Sequence, residues 1–253
     1  MQESVQPARA LHDPANPGII LSRVFPATLF DFNGVLVDDE PVHFAALRDT
    51  VRPLGVELTE ALYWEKYLGF DDVGALRAML TDAGRSPRDG EVAELVRVKA
   101  GLYLERAHRE LRTFPGAADV VQRRAAVGPV LVVSGALRHE IELGLDVLGV
   151  RSEVSAIVSA EDTTECKPDP QGYRIGMERL RALGHTDAAA RALVVEDSMA
   201  GVQAAKRAGL PCVAVMHSYP RERLIAAGAD SVVEHLADLT DDLLGALYRR
   251  IHG

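Results

Sequence analysis

The residues that could do chemistry first stand out in "LFDFNGVLVDDEP" (29–41), where a buried-type apolar run ends in Asp31 and Asn33. A carboxylate at the end of a strand can serve as a nucleophile or as a metal ligand. An amide at the second position can donate a hydrogen bond but cannot act as a general acid or base. Because an isolated aspartate at a strand end is most often a turn or cap residue, the chemical interpretation needs partners elsewhere in the chain.

Further acids follow a later apolar run, "ALVVE" (192–196), which ends in Glu196 and continues into Asp197. Three carboxylates brought together repel one another unless a cation neutralises them, and hard oxygen ligands suit Mg²⁺, whose coordination is often completed by a substrate phosphate. The backbone carbonyl of Asn33 could add an oxygen. The alternative is that the Glu-Asp pair caps the helix that begins near "SMAG".

Two more segments carry groups that suit a phosphate. Lys167, in "CKPDP", offers a positive charge for a phosphate or for a nucleophilic carboxylate. Ser134, Gly135 and the backbone amides of 134–136, at the start of a predicted helix, offer donors to a phosphoryl oxygen. Taken singly, these are also common surface-loop and turn sequences. Taken together, in order and all at or beyond strand ends, they predict a phosphate site.

The surrounding pattern explains how these groups could meet. Six short apolar runs predict strands: 27–32, 129–134, 154–159, 192–196, 211–215 and 231–233. Helical patterns with apolar positions spaced at three and four separate them, which predicts an α/β fold with a doubly wound parallel sheet and helices on both faces. In such sheets ligands bind outside the carboxyl ends of the strands, where the candidate residues lie.

The segment from 38 to 113 differs, because it has helical patterns and no convincing strand. It is too long for a loop, and we interpret it as a small all-helical domain inserted after the first strand. Two segments would connect this domain to the sheet, and we refer to them as the crossings: "NGVLVD" (33–38) and "RTFPGA" (112–117). The predicted division is an N-terminal extension over 1–24, an α/β core over 25–37 and 114–253, and the helical insertion over 38–113.

Composition narrows the function classes. The net charge of -9 and the lack of a basic stripe argue against nucleic-acid binding. No apolar run approaches the roughly 20 residues of a membrane helix, and the first residues lack the pattern of a secretory signal. The two cysteines cannot form a disulfide framework. We therefore expect a cytoplasmic protein with no nucleic-acid or membrane partner; the oligomeric state is unknown from the sequence.

The motifs resemble those of the haloacid dehalogenase-like (HAD) hydrolase superfamily, in particular its small-molecule phosphatases and its β-phosphoglucomutase-like branch. "DFNGVLVDDEP" is similar to the first motif, Asp-x-Asp-Gly-Thr/Val-Leu-x-Asp-Ser-Glu-Pro. "VLVVSGA", "CKPDP" and "VVEDSMAGVQAAKRAGL" resemble the second, third and fourth. The helical insertion lies where such proteins insert a cap. The resemblance, over about residues 25–235, implies a Rossmann-like core with a helical cap.

The resemblance also implies roles. Asp31 would attack phosphorus to give an aspartyl-phosphate, and Mg²⁺ would be held by Asp31, the Asn33 carbonyl and Asp197, with Glu196 a ligand directly or through water. The implied phosphate-binding residues are Ser134, Gly135 and Lys167. The implied reaction is Mg²⁺-dependent hydrolysis of a small phosphorylated metabolite, in which charge cancellation and positioning do most of the work.

Asn33 departs from the family, whose phosphatases carry an aspartate there that protonates the leaving oxygen and then activates water. General acid–base catalysis is worth about 10²–10⁴ in rate, so we expect slow turnover of alkyl phosphates, or a stall at the covalent intermediate. Three explanations stay open. The first is a natural residue in an enzyme whose substrate has a good leaving group, such as an acyl phosphate. The second is a protein that binds a phosphorylated ligand without turning it over, and the third is an engineered substitution.

Related reactions give further alternatives. A phosphomutase of the β-phosphoglucomutase type would need a second phosphorylation site, for which the sequence offers no sign. A dehalogenase is disfavoured because Glu196 and Asp197 would repel an anionic haloacid. Phosphonatases use a cap lysine as a Schiff base, but we predict that the two lysines of the helical segment, Lys66 and Lys99, lie on the surface.

Substrate choice is expected to depend on the cap. In "EKYLGFDDVGAL" (65–76), Tyr67, Asp71 and Asp72 could contact a sugar or another polyol. The alternative is that Asp71 and Asp72 cap the next helix. His139 could face the phosphate region, but an exposed position on a helix is the favoured interpretation.

Overall fold

The computed structural model describes residues 24–68 and 70–253. The strands in chain order are β1 (Thr28–Phe30), β2 (Val37–Asp38), β3 (Arg112–Thr113), β4 (Val130–Val133), β5 (Val154–Val158), β6 (Leu193–Glu196), β7 (Cys212–Val215) and β8 (Ser231–Val233). The helices are α1 (Glu40–Val51), α2 (Glu60–Leu62), α3 (Asp72–Asp82), α4 (Asp89–Glu110), α5 (Ala117–Ala125), α6 (Arg138–Leu148), α7 (Gln171–Ala182), α8 (Thr186–Ala190), α9 (Met199–Arg207), α10 (Arg221–Ala227) and α11 (Asp241–His252).

A parallel sheet of six strands forms the centre of the fold, in the order β5-β4-β1-β6-β7-β8. Alternate residues of β1 face opposite sides of the sheet: Phe30 joins one hydrophobic cluster and Leu29 another. A strand buried on both faces needs helices on both sides, so the near-continuous apolar runs are explained. The predicted α/β class is confirmed, and each predicted strand agrees with the structure to within two residues.

The strand order places the candidate residues together. Because β1 lies between β4 and β6, its carboxyl end is adjacent to the ends of both neighbours. Asp31 follows β1, Ser134 follows β4, and Glu196 ends β6. The parallel pairing of β1 with β4 and β6 therefore brings Asp31 beside residues that lie more than 100 positions away in the sequence.

The helical segment has an apolar cluster of its own, which includes Leu47, Val51, Tyr63 and Met79 and is separate from the two clusters on the sheet. A five-residue π-helical stretch, Tyr63–Tyr67, continues α2. A helical cap is therefore present, while its exact limits at 38 and 113 stay a prediction. The extension predicted over 1–24 lies outside the described residues apart from Val24.

One feature of the crossings was not predicted. β2 and β3 form an antiparallel ribbon that pairs Val37 with Thr113 and Asp38 with Arg112, so the expectation of no strand in the inserted segment was wrong at its two ends. Strands of two residues are too short to show a periodicity of two. The ribbon ties the entry and exit of the cap together.

The cysteines and the absence of a long apolar run are the remaining features on which the sequence made a prediction. Cys166 and Cys212 are both free, the first exposed and the second buried. Among the helices that the structure describes, none combines the length and the apolar character needed to span a membrane.

Candidate active site

Asp31 is positioned by the end of β1. Its backbone N–H donates to the carbonyl of Val195, at 2.9 Å, which fixes the residue beside the end of β6. Its side chain is 11% exposed, and its Oδ1 lies 2.8 Å from Nζ of Lys167. The carboxylate is thus largely removed from water but still reachable.

Lys167 bridges two of the acids. Its Nζ lies 2.7 Å from Oε1 of Glu196 and donates to the carbonyl of Val133 at 3.2 Å. Burial alone would lower the pKa of Lys167, but Asp31 and Glu196 outweigh that effect and raise it above its ordinary value. The lysine therefore stays charged at this edge of the sheet.

Both oxygens of Glu196 are occupied by protein donors. Oε1 accepts from Lys167 and from the hydroxyl of Tyr173 at 2.8 Å. Oε2 accepts from the backbone N–H of Asp197 at 3.0 Å, and from the N–H and hydroxyl of Ser198, each at 3.1 Å. Burial raises the pKa of Glu196, but Lys167 and these hydrogen bonds more than offset it, so the pKa is lowered. Glu196 is an ionised anchor for Lys167.

Asp197 is buried beside a tight turn. Its Oδ2 accepts from the hydroxyl of Ser218, and a Cβ at Gly34 would overlap the same carboxylate. Gly34 also has a φ of 74°, which disfavours any residue with a side chain. Burial, together with the charges of Glu196 and Asp31, raises the pKa of Asp197 well above its ordinary value.

The three acids form one cluster. One potential ligand atom from each of Asp31, Glu196 and Asp197 lies within 4.8 Å of the other two, and all three residues are buried. In the part of the chain that the structure describes, Lys167 alone forms ion pairs with members of the cluster, so three carboxylates face one ammonium. Burial and the Glu196 charge raise the pKa of Asp31 to about 6, despite the opposing effect of Lys167. A divalent cation would relieve this excess of negative charge, and the oxygen donors suit it.

The second half of the site is the loop after β4. The hydroxyl of Ser134 donates to Oδ1 of Asn33 at 3.0 Å and accepts from the N–H of Ala136 at 3.1 Å. Gly135 is exposed, so the loop is open on one side at the start of α6. The structure thus brings Ser134 against Asn33.

The other end of the Asn33 side chain contacts a residue that the sequence interpretation did not select. Nδ2 of Asn33 donates to Oδ2 of Asp39. The same oxygen accepts from the hydroxyl of Tyr103 at 2.9 Å and lies 3.0 Å from Nε2 of His43. The spacing of Asp39 and His43 by four residues on α1 was the available signal, since such residues share a helix face.

The chain of polar contacts continues into the cap. Nδ1 of His43 lies 2.7 Å from Nζ of Lys99, which in turn lies 2.9 Å from Oδ1 of Asp72. Lys99 is completely buried, so its predicted surface position was wrong: the buried charge is compensated by Asp72 and His43. Lys66 is half-exposed and pairs with Asp82, as a surface lysine was expected to.

The predicted cap residues are placed differently from one another. Tyr67 is buried and donates to Asp82 at 2.6 Å, so its hydroxyl is held inside the helical segment. Asp71 caps α3 by accepting from the N–H of Gly74 at 2.7 Å. Burial, together with the charges of Asp71 and Glu165, raises the pKa of the Cys166 thiol.

His139 is exposed on α6, as the favoured interpretation expected. Of the predicted residues, Asp31, Asn33, Ser134, Lys167, Glu196 and Asp197 meet at the carboxyl end of the sheet. Tyr67 and Asp72 are engaged within the helical segment.

Comparison with known proteins decides the family. A family model described as haloacid dehalogenase-like hydrolase matches residues 25–209. The chain belongs to this family. The resemblance inferred from the four motifs is confirmed, as is the assignment to its phosphatases, since relatives that are phosphatases match along most of the chain. One is the phosphorylated carbohydrates phosphatase of Thermotoga maritima, 28% identical over 222 residues that cover 82% of this chain and 94% of that protein.

A phosphoglycolate phosphatase of Caulobacter vibrioides is 30% identical over 220 residues, covering 83% of this chain and 87% of the relative. Among solved structures, CbbY from Rhodobacter sphaeroides in complex with phosphate has a TM-score of 0.72 at 26% identity, covering 85% of this chain and 96% of that one. A β-phosphoglucomutase from Clostridium difficile has a TM-score of 0.74 at 18% identity, over 90% of this chain and 98% of that one, and shows the shared fold.

Proposed function

We propose that this HAD-family protein is a Mg²⁺-dependent phosphohydrolase that acts on a small phosphorylated metabolite through an aspartyl-phosphate on Asp31. The observation that carries the proposal is the cluster at the end of β1. The Asp31 carboxylate is held 2.8 Å from Lys167, a partly buried lysine, and shares its site with two other buried acids. A nucleophile, a phosphate-binding cation and a candidate metal site are thus within a few ångströms.

Mg²⁺ would be held by Asp31, the backbone carbonyl of Asn33 and Asp197. Glu196 would contact it through water, because both of its oxygens already accept hydrogen bonds from the protein. When bound, the ion would offset the charges of the nucleophile and of the phosphoryl group. The excess negative charge of the cluster favours such an ion whether or not substrate is present.

The protein groups account for the remaining work of transfer. An oxygen of Asp31 attacks phosphorus, and the bond to the leaving oxygen breaks. Lys167 and Ser134, with the backbone amides of the Ser134 loop, stabilise the charge on the phosphoryl oxygens. Water then cleaves the aspartyl-phosphate and regenerates Asp31. The Asn33 amide cannot supply a proton to the leaving oxygen, which favours substrates whose leaving group needs none, such as acyl phosphates.

The substrate class is supported by the relatives. The Thermotoga protein is named for phosphorylated carbohydrates, the Caulobacter protein for phosphoglycolate, and the CbbY structure contains phosphate. Within the cap, Tyr67 and Asp72 are held by other residues of the cap, whereas Asp71 is exposed. We propose that it borders the substrate cleft in addition to capping α3.

The test is phosphate release from a panel of sugar, polyol, nucleotide and acyl phosphates, with Mg²⁺ and with chelator. We expect Mg²⁺-dependent release from at least one member, abolished by Asp31→Asn. Halide release from haloacids without metal would instead indicate a dehalogenase. Thermal stabilisation by a phosphorylated ligand with no turnover, even in Asn33→Asp, would indicate a binding protein. Conversion of one sugar phosphate isomer into another would indicate a mutase.

A further inference from the structure

Asp39 is a buried carboxylate directly before α1, and a capping role does not explain why it is buried. It occupies the N-cap of α1, yet its side chain makes no capping hydrogen bond there. It turns toward the active site instead, where it is 1% exposed and contacts Asn33. An N-cap aspartate that leaves its helix uncapped gives up a favourable contact, and contacts with Asn33, His43 and Tyr103 hold the side chain in place instead.

The two oxygens of Asp39 are used unequally. Oδ2 faces three donors: Asn33, His43 and Tyr103. Oδ1 is buried and finds no hydrogen-bond partner among the residues that the structure describes. Burying an acceptor without a donor costs free energy, and the cost is larger for a charged carboxylate oxygen than for a neutral one. A hydrogen-bond donor from a water or a substrate would satisfy it.

The chain of contacts behind Asp39 has a defined polarity. Because the Lys99 ammonium has only donors, Nδ1 of His43 must accept from it, and Nε2–H then donates to Asp39. Asp72 accepts from the same ammonium. Lys99 therefore donates to both Asp72 and His43, and His43 donates to Asp39. Asp39 is the acceptor at the end of the chain of contacts that meets Asn33.

The sequence shows a matching exchange. The family motif has an aspartate at the position of Asn33 and a serine at the position of Asp39. In this chain an amide stands at the first of these positions and a carboxylate at the second, six residues later. The two side chains are in contact, so a carboxylate still lies next to the position that the motif's aspartate would occupy.

We propose that Asp39 is the general base of this site: its Oδ1 holds the water that attacks the aspartyl-phosphate and accepts that water's proton. This assignment rests on the proposed phosphohydrolase function. The water oxygen bonds to phosphorus, and the bond from phosphorus to Asp31 breaks with its electron pair returning to the Asp31 carboxylate. One water proton passes to Asp39 and is later released to solvent with the phosphate. The Asn33 amide, fixed between Ser134 and Asp39, positions the water.

The test separates formation of the phosphoenzyme from its hydrolysis. Purified protein with Mg²⁺ is mixed with radiolabelled acetyl phosphate, then quenched with acid at intervals to count protein-bound label and free phosphate. In Asp39→Asn, which keeps the shape of the side chain, we expect labelling in the first turnover at the parental rate. Phosphate release should fall by about 10²-fold or more, so labelled protein accumulates.

Two matched variants complete the test. Asp89→Asn changes an aspartate of the cap whose side chain is 95% exposed and should leave both steps unchanged. The double variant Asn33→Asp with Asp39→Ser restores the family pattern and should recover phosphate release, whereas Asp39→Ser alone should not. Because the double variant also lacks Asp39, its recovery would show that the single variants fail through chemistry and not through folding.

Three results would overturn the assignment. Asp39→Asn could release phosphate as fast as the parent, or lose labelling and release in equal measure. The double variant could remain as slow as Asp39→Ser. If instead neither the parent nor any variant takes up label, while the parent also fails to release phosphate from the rest of the panel, the phosphohydrolase proposal itself fails, and the role of Asp39 with it. Normal parental labelling with unaffected Asp39 variants refutes the role of Asp39 alone.

Discussion

Replacing Lys167 with methionine should expose the charge imbalance of the cluster. The variant keeps a long apolar side chain but removes two ion pairs, at 2.8 Å to Asp31 and 2.7 Å to Glu196, from a side chain that is only 20% exposed. Removing one partner of a buried ion pair costs about 3–5 kcal/mol, because the other charge is left uncompensated. We expect a loss of that order in the free energy of unfolding at pH 8 with chelator present.

The loss of stability in Lys167→Met should depend on pH. Burial raises the folded pKa of Asp31 to about 6 from an ordinary 3.8, so the folded state gains a proton more readily than the unfolded one. Stability from this carboxyl is greatest at low pH and falls as pH rises through the folded pKa. In Lys167→Met protonation of Asp31 relieves the repulsion, so the loss should be smaller at pH 5 than at pH 8. Saturating Mg²⁺ should also reduce it.

The assay is urea unfolding of parent and variant at both pH values. Lys66→Met is the control, because its ion pair with Asp82 involves a side chain that is 50% exposed, and such pairs contribute about 0–1 kcal/mol. A loss below about 1 kcal/mol for Lys167→Met at pH 8 without divalent ions would refute the reasoning. So would an equal loss at pH 5 and pH 8.

Three other variants test the packing and charges that surround the site. A Cβ at Gly201 would overlap the carboxylate of Glu196, so Gly201→Ala should lose about 1–3 kcal/mol of stability in urea unfolding, as overpacked sites do. Gly101→Ala, in a helix position with open space around it, should gain about 0.5–1 kcal/mol, and a change of the same sign in both variants would contradict the packing argument. Asp162 pairs with Arg179 at 2.6 Å; burial opposes the shift, but this ion pair and its other hydrogen bonds lower its pKa from 3.8 to about 2. Asp162→Asn should therefore lose about 2 kcal/mol at pH 7, a difference that shrinks as pH falls from about 4 to 2; a loss independent of pH would rule out that cause.

The sheet and most of the site were predictable because each depends on local pattern plus one topological rule. Apolar runs bounded by glycine, proline or charge identified the strands, and a parallel sheet necessarily gathers the ends of adjacent strands. Asp31, Ser134 and Glu196 are therefore expected at the same edge of the sheet, and the observed strand order, with β1 between β4 and β6, makes them neighbours. The β2–β3 ribbon was missed because two residues carry no periodicity.

Contacts between cap helices were beyond the same reasoning. A lysine is ordinarily a surface residue. The burial of Lys99 depends on its contacts with Asp72 and His43, which the packing of α1, α3 and α4 brings together. Tyr67 was assigned to the cleft from its place beside a glycine-punctuated turn, whereas its π-helical stretch directs the hydroxyl to Asp82. The sequence context of Asp39 does not single it out, because an acid directly before a helix is ordinarily a cap.

The most direct test of the account is binding of fluoroberyllate, which mimics a phosphoryl group on an aspartate, followed by ¹⁹F NMR. With Mg²⁺ present, we predict resolved resonances from protein-bound fluoroberyllate that disappear on chelation and are absent in Asp31→Asn. Resonances that persist in Asp31→Asn, or no binding by the parent at saturating Mg²⁺, would contradict the assignment of Asp31 as the nucleophile of a metal-dependent phosphoryl-transfer site.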